Sequence, residues 1–320
     1  MTAPISENTM SAATMSMIKS VRDRRSDQNV LALQAHRTPP ELRGPTAVRA
    51  CHAHAMTELN GRPATAAELQ ALALTNYGHY TAMRVDDGAV RGLTHHLERL
   101  VRDCRTVFGV DLDRGMVHGY IAQAIEGRSG SFNVRVTVYD PALEMGHPGD
   151  SANPQVLVTT RPTVALPAPP LRAGVAPYTR EFPEAKHIGL FGALAHRRSA
   201  QLRGFDDVLF CDDAKQLSEG ATWNVGFYDG ENVIWPDAAV LPGITMTLLQ
   251  QVHDDTVIRP VTLDEVGTMQ AAFATNVTVG VRALAAIETV DFPTEHPIIE
   301  VLRDEFAEIP PEPVARTVRS

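Results

Sequence analysis

Three groups able to do chemistry together fall between Lys186 and Thr245: an amine, a carboxylate and a Gly-Ile-Thr turn into a helix. The chain has three lysines, Lys19, Lys186 and Lys215. Lys19 belongs to a polar N-terminal stretch, and Lys215 sits in "CDDAKQ", which reads as a solvated turn between strands. Lys186 is thus the candidate for covalent amine chemistry, and a lysine in an apolar pocket has the lowered pKa such chemistry requires. Glu219, on a strand in "LSEGATWNVGFYD", offers an acid. Gly243, Ile244 and Thr245 in "LPGIT" offer donors to a phosphate. An amine for a Schiff base, an acid for a pyridinium nitrogen and donors for a phosphate are the requirements of pyridoxal phosphate chemistry. Singly, each has a plainer reading: a solvated lysine, a strand-face glutamate, an ordinary helix start.

Elements must hold these residues in place. "MTELNGRPAT" reads as strand, Asn-Gly turn, strand. "YGHYTAMRVDDGAVRGLTHHLERL" reads as two strands about an Asp-Gly turn, then a helix capped by Thr94. In that helix Leu93, Leu97, Leu100, Val101, Cys104, Val107 and Phe108 follow helical spacing, with Arg99 off the stripe. The helix "MVHGYIAQAIE" and the strands "SFNVRVTVYD" and "QVLVTTRP" follow. Beyond "RPTVALPAPPLRAG" come a strand "GVAPYT", a helix "HIGLFGALAHRRSAQLR" stopping at Gly204, and a β-ribbon running to "NVIWP". "TLDEVGTMQAAFATNVTVGVRALAAI" reads as a helix and two strands, and "PIIEVLRDEFAEI" as a closing helix. Hairpins mixed with strand–helix alternation predict an α/β fold of the mixed, α+β kind. The expected layout is a poorly ordered extension over 1–53, a small α/β domain over 54–160, a linker over 161–172 and a larger, cofactor-binding domain over 173–320.

The order Lys…Gly-Phe-Asp-Asp-x-Leu-Phe-x-Asp…Ser-Glu-Gly-Ala-Thr-x-Asn-x-Gly-Phe…Leu-Pro-Gly-Ile-Thr resembles the fold-type IV pyridoxal phosphate enzymes, the class IV aminotransferase family. That family includes branched-chain and D-amino-acid aminotransferases and aminodeoxychorismate lyase. The resemblance extends upstream through "ELNG", "YTAMRVDDGAV" and "HHLERL", covering roughly residues 55 to 305. It implies two domains with the cofactor between them, and a homodimer whose partner chain contributes to the pocket. Lys186 matches the Schiff-base lysine, Glu219 the acid facing the pyridinium nitrogen, and Arg99 the arginine that grips the phosphate. Gly243, Ile244 and Thr245 match the phosphate turn, and Thr222 and Asn224 the segment beside the ring. Tyr80, Thr81, Arg135 and Phe191 fall on the substrate side.

Some positions depart from the pattern. Phe191 stands five residues after the lysine, where branched-chain enzymes carry a tyrosine, and phenylalanine has no donor. Thr81 stands where those enzymes have glutamate, and "YTAMRV" is instead similar to the Phe-Thr-Thr-x-Arg-Val of the lyases, as is "ATNVTVGV". Against the lyase, Asp140 aligns where lyases place a substrate-binding arginine. The resemblance therefore implies an aminotransferase moving an amino group between an amino acid and a 2-oxo acid, with a pyruvate-eliminating lyase as the alternative.

Composition excludes other classes. Hydrophobic residues make up 44% of 320, charged residues 21%, and the formal net charge is −9. With no long basic run, neither nucleic acid nor an anionic membrane is an expected partner. No apolar stretch approaches membrane-spanning length, and the first residues lack the apolar segment of a secretory signal. Cys51, Cys104 and Cys211 read as free thiols in a reducing cytoplasm. His95, His96 and His187 lack metal-ligand spacing, so no metal is expected. A nucleotide-binding α/β protein is poorly matched, since no Gly-x-Gly-x-x-Gly turn follows a strand.

Overall fold

The computed structural model describes residues 56–315, so the expected N-terminal extension lies outside the described residues. The chain opens with β1 (Thr57–Leu59) and β2 (Arg62–Pro63), joined through Asn60 and Gly61 at φ 48° and 75°. Two successive positive φ values make the turn whose twist matches a hairpin, and Asn-Gly adopts it at low cost. Helix α1 (Ala66–Thr75) follows, started by a Thr65–Glu68 capping box. Strand β3 (His79–Asp86) turns at Asp87-Gly88 into β4 (Ala89–Val90), and α2 (Leu93–Phe108), α3 (Arg114–Ile125), β5 (Ser131–Tyr139) and β6 (Gln155–Pro162) complete the first half.

These strands form a seven-stranded antiparallel sheet, ordered β16-β4-β3-β5-β6-β1-β2, in which β16 (Glu312–Pro313) comes from the far end of the chain. Met83, Val85, Val134 and Val136 are fully buried and pack with Leu97, Leu100 and Ile121 of the helices. Alternation along β3 and β5 therefore builds one core against α2 and α3.

The second half holds β7 (Leu171–Pro177), α4 (Phe191–Leu202), β8 (Asp207–Cys211), β9 (Leu217–Gly220), β10 (Asn224–Tyr228) and β11 (Val233–Pro236). It continues with α5 (Ile244–Val252), β12 (Thr256–Arg259), a 3-10 turn (Leu263–Thr268), β13 (Ala271–Asn276), β14 (Gly280–Ile287), β15 (Val290–Asp291) and α6 (Pro297–Glu308). Its nine-stranded sheet runs β12-β11-β10-β13-β14-β7-β8-β9, with β15 beside β14. The end strand β9 pairs back to β10 at Asn224–Glu219, so six of the strands close into a ring. Parallel β7–β8 and β14–β7 pairs make the sheet mixed.

By contacts the chain from Ala53 onward is one unit. Within it, β6 runs to Pro162 and β7 starts at Leu171, so the connection between the two sheets is 163–170, shorter than the proline-rich stretch expected.

Two local expectations need correction. Thr94 does not cap α2: the N-cap is Gly92, in the left-handed region at φ 73°, where a Cβ would stand 2.9 Å from Ile244 Cγ2. The cap is supplied from a distance, by the Glu312 carboxylate accepting from the Thr94 amide at 3.1 Å. Helix α4 begins at Phe191 rather than His187, because Lys186 to Ile188 is bonded to β3 instead: Tyr80 N–H donates to the Lys186 carbonyl and Ile188 N–H to that of Gly78.

Cys104 and Cys211 are free and buried, and Cys51 lies outside the described residues. No helix among the described residues is long and apolar enough to cross a membrane. No group of three metal-ligating side chains stands together among them.

Candidate active site

A cavity of about 160 Å³ opens between the two sheets, where β3 and α2 of the first face the strand ends of the second. Lys186 stands on its wall, with Nζ 4.9 Å from the centre of the Tyr80 ring. Its amine is pushed down to about 7, chiefly by burial, then by the Arg99 and Arg180 guanidiniums, against the pull of Glu219. Near neutral pH a large share of this amine is therefore uncharged and nucleophilic.

The same cavity is lined by a row of polar residues set by strand register. Asn224 on β10 pairs directly with Glu219 on β9 and with Thr275 on β13. Residues opposite one another in a sheet share a face, and all three line the cavity. Glu219 is 3% exposed, and its Oε1 accepts from Arg180 Nε at 2.7 Å while Oε2 accepts from the Leu241 amide at 3.2 Å. Burial pushes this carboxyl up, and Arg180 opposes the rise. Asn224 donates from Nδ2 to the Leu241 carbonyl at 2.8 Å, which ties the row to the turn before α5.

Arg99 and the start of α5 line the cavity as well. Arg99 is off the apolar stripe of α2, yet it is only 4% exposed. His96, Arg99 and Asp103 form a second, buried polar stripe beside the apolar one. Arg99 Nη2 donates to the Thr81 hydroxyl, which is 2.7 Å from His96 Nδ1. Burial lowers the Arg99 pKa to about 10, so it stays charged at neutral pH. Gly243 is the N-cap of α5 and lines the cavity; a Cβ there would come 2.0 Å from Asn224 Oδ1. Ile244 also lines the cavity, and helix N-terminal amides lack intrahelical partners.

Of the remaining expected residues, Thr222 lines the cavity, its hydroxyl accepting from Arg197 Nη2 at 2.6 Å. Tyr80 lines it too. Thr245 is buried against a neighbouring small cavity that shares Ile244 with the main one. Thr81 faces Arg99 and His96 and is absent from the cavity wall. Arg135 stacks on the Tyr80 ring, 3.7 Å from its centre, and also stands off the wall. Phe191 is 85% exposed at the first turn of α4, and Leu190 takes the wall position. Arg180, Leu241 and Thr275 were not among the expected site residues. A buried acid such as Glu219 requires a cation, but nothing in "YTREFPEAK" marks Arg180 as that cation.

The site fits pyridoxal phosphate on its own atoms. Arg99 Nε and the Thr275 and Thr245 hydroxyls are buried without hydrogen-bond partners, free to meet an anionic group such as a phosphate. The Arg99 and Arg180 guanidiniums outweigh the single Glu219 carboxylate on the wall, which suits an anionic ligand.

A family profile described as amino-transferase class IV matches residues 78–287. Among solved structures, the chain is similar to a branched-chain aminotransferase from Thermoproteus uzoniensis with norvaline, at TM-score 0.71 and 17% identity, over 79% of this chain and 94% of that one. It is similar to the Escherichia coli branched-chain amino acid aminotransferase at TM-score 0.68 and 16% identity, over 78% and 91%. A putative 4-amino-4-deoxychorismate lyase from Legionella pneumophila aligns at TM-score 0.64 and 20% identity, over 75% and 93%. No curated protein matches the chain.

Proposed function

The chain belongs to the class IV aminotransferase family, and from that premise we propose that it is a pyridoxal phosphate-dependent aminotransferase acting on an amino acid and a 2-oxo acid. The observation that carries this reading is the Lys186 amine, brought down to about 7 on the wall of a cavity that the Glu219–Arg180 pair also lines. When bound, the cofactor supplies an aldehyde for the amine and a ring that takes up the electrons left when an amino acid loses its α proton.

The chain's own residues do the rest. Arg99, Thr275 and the first amides of α5 hold the phosphate, with the Thr245 hydroxyl as a further donor. Glu219 offers a carboxylate oxygen to the ring nitrogen, and Arg180 keeps that carboxylate aligned. The Lys186 amine would be the base that takes up and returns the substrate's α proton. The Arg135 guanidinium behind Tyr80 adds positive charge for a substrate carboxylate. The same reading includes a homodimer and a cytoplasmic location.

A lyase that eliminates pyruvate is the second reading. Thr275 and Asn276 on the wall favour it. Asp140 weighs against it, since it stands where lyases place a substrate-binding arginine, and its carboxylate instead accepts from the amides of Ala142 and Asn153.

The test mixes the cofactor-loaded protein with L- and D-amino acids plus 2-oxoglutarate or pyruvate. Loss of the aldehyde's visible band with an amino acid, reversed by an oxo acid, supports transamination. An unchanged band with every amino acid, beside pyruvate release from aminodeoxychorismate, selects the lyase. Lys186→Ala is expected to abolish turnover in both.

A further inference from the structure

Lys186 is held by its main chain as firmly as its side chain is hemmed in. Its amide donates to Asp103 Oδ2 at 2.8 Å, and its carbonyl accepts from the Tyr80 amide at 2.8 Å. Asp103 is 1% exposed and lies on α2 one turn beyond Arg99. Its other oxygen accepts from Arg102 Nη2 at 2.8 Å and Nε at 3.1 Å, and Arg102 reaches on to the Glu184 carbonyl at 3.3 Å. A carboxylate buried this deeply costs stability unless its lone pairs are used. Burial pushes the Asp103 carboxyl up, while the Lys186 amide and Arg102 draw it back.

Packing alone gives no reason for an acid here. Leu97, Leu100 and Cys104 already dock α2 on its sheet. What Asp103 adds is a bond from that helix to the segment before α4. One rigid element then sets both ends of the site, the Arg99 guanidinium at one and the main chain of the amine at the other.

We propose that Asp103 is a positioning residue for Lys186, a role that rests on reading Lys186 as the reacting amine. By holding the Lys186 amide it restricts where Nζ stands over the Tyr80 ring and in relation to Arg99. It acts through the main chain, by the bond from the Lys186 amide to its carboxylate.

The test compares the full-length parent with Asp103→Ala, Asp103→Asn, Asp103→Ser and Lys186→Ala. One readout is the dissociation constant for pyridoxal phosphate, from titration of cofactor-free protein. The other is the pH dependence of Lys186 acylation by an amine-selective reagent in the absence of cofactor, read by mass spectrometry. Asp103→Ala is expected to bind the cofactor about tenfold more weakly, the loss of one charge-assisted hydrogen bond. Its acylation midpoint is expected to move, since the amine no longer keeps one position among the guanidiniums. Asp103→Asn keeps an acceptor for the amide and is expected to stay within about threefold of the parent.

Parent-like affinity and acylation in a folded Asp103→Ala would overturn the proposal. If that variant does not fold, Asn against Ser decides, because serine is too short to reach the amide: Asn near the parent with Ser displaced supports the role, and equal behaviour overturns it. Lys186→Ala separates the two claims. Retention of the parent's visible band there defeats the reading of Lys186 itself. Loss of that band beside a parent-like Asp103→Ala removes only the role of Asp103.

Discussion

An amine made neutral by burial titrates differently in the folded and unfolded chain, and the difference is measurable at Lys186. Its folded value is about 7 against an ordinary 10.5. Between those values the unfolded chain binds the extra proton, so this residue makes the cofactor-free protein more stable as pH rises through the window. Urea midpoints at about pH 7 and about pH 10 should show that gain in the parent and its loss in Lys186→Met. The Glu219 carboxylate raises the Lys186 value against the lowering by burial and the guanidiniums. Glu219→Gln should therefore move the acylation midpoint of Lys186 below the parent's, and a rise would contradict the charge arrangement described. The same substitution leaves Arg180 buried without its counter-ion, at a cost of about 3 kcal/mol. Adding Arg180→Met should recover part of that loss in a double-mutant cycle. Arg99 was legible in its motif but not in its burial. Apolar periodicity places it off the stripe, and only the His96–Arg99–Asp103 stripe explains how α2 presents two faces inward.

At the scale of elements, the strands and the ribbon follow from alternation and turn residues, and so does the row Glu219–Asn224–Thr275 once the register is known. Register was the missing step. A sequence shows that β10 and β13 are strands but not that Asn224 faces Thr275, which is a non-local pairing. Arg180 was hidden for a related reason, because it sits in an aperiodic loop. The family pattern puts Phe191 on the substrate side by its spacing from Lys186, whereas α4 starts at that residue and leaves its ring 85% exposed. The start of α5 offers a test at this scale. Gly243 has φ −69°, which any residue adopts, so its need for glycine is contact alone: a Cβ would lie 2.0 Å from Asn224 Oδ1. Gly243→Ala should destabilise the protein by about 1–3 kcal/mol and weaken cofactor binding. Gly243→Ala with Asn224→Ala should cost less than the two losses summed, because the clash requires both partners. Strict additivity in thermal unfolding would show that the helix start shifts to accept the methyl group.

The whole molecule is tied together by its last strand. After the nine-stranded sheet and α6, the chain returns to the first sheet, where β16 pairs with β4 and Val314 joins the first core. In that position Glu312 accepts from the Thr94 amide and hydroxyl, beginning the helix that carries Arg99 and Asp103. An anion at a helix N-terminus satisfies unpaired amides and opposes the helix dipole. Gly92 at the N-cap has no side chain to do this, and it leaves room for Ile244 of α5. The cap thus reaches the helix that carries Arg99 from a residue more than two hundred positions away. Glu312→Ala should lower stability by about 1 kcal/mol. It should speed amide hydrogen exchange first at Thr94 and its neighbours, before α3 is affected. Cofactor affinity should fall with it, since the first turn of α2 and the start of α5 rest on each other. Glu312→Gln keeps an acceptor oxygen and should fall between the two. Exchange at Thr94 unchanged in Glu312→Ala would mean that α2 is held by its apolar face alone, and that the returning strand serves the first sheet and not the site.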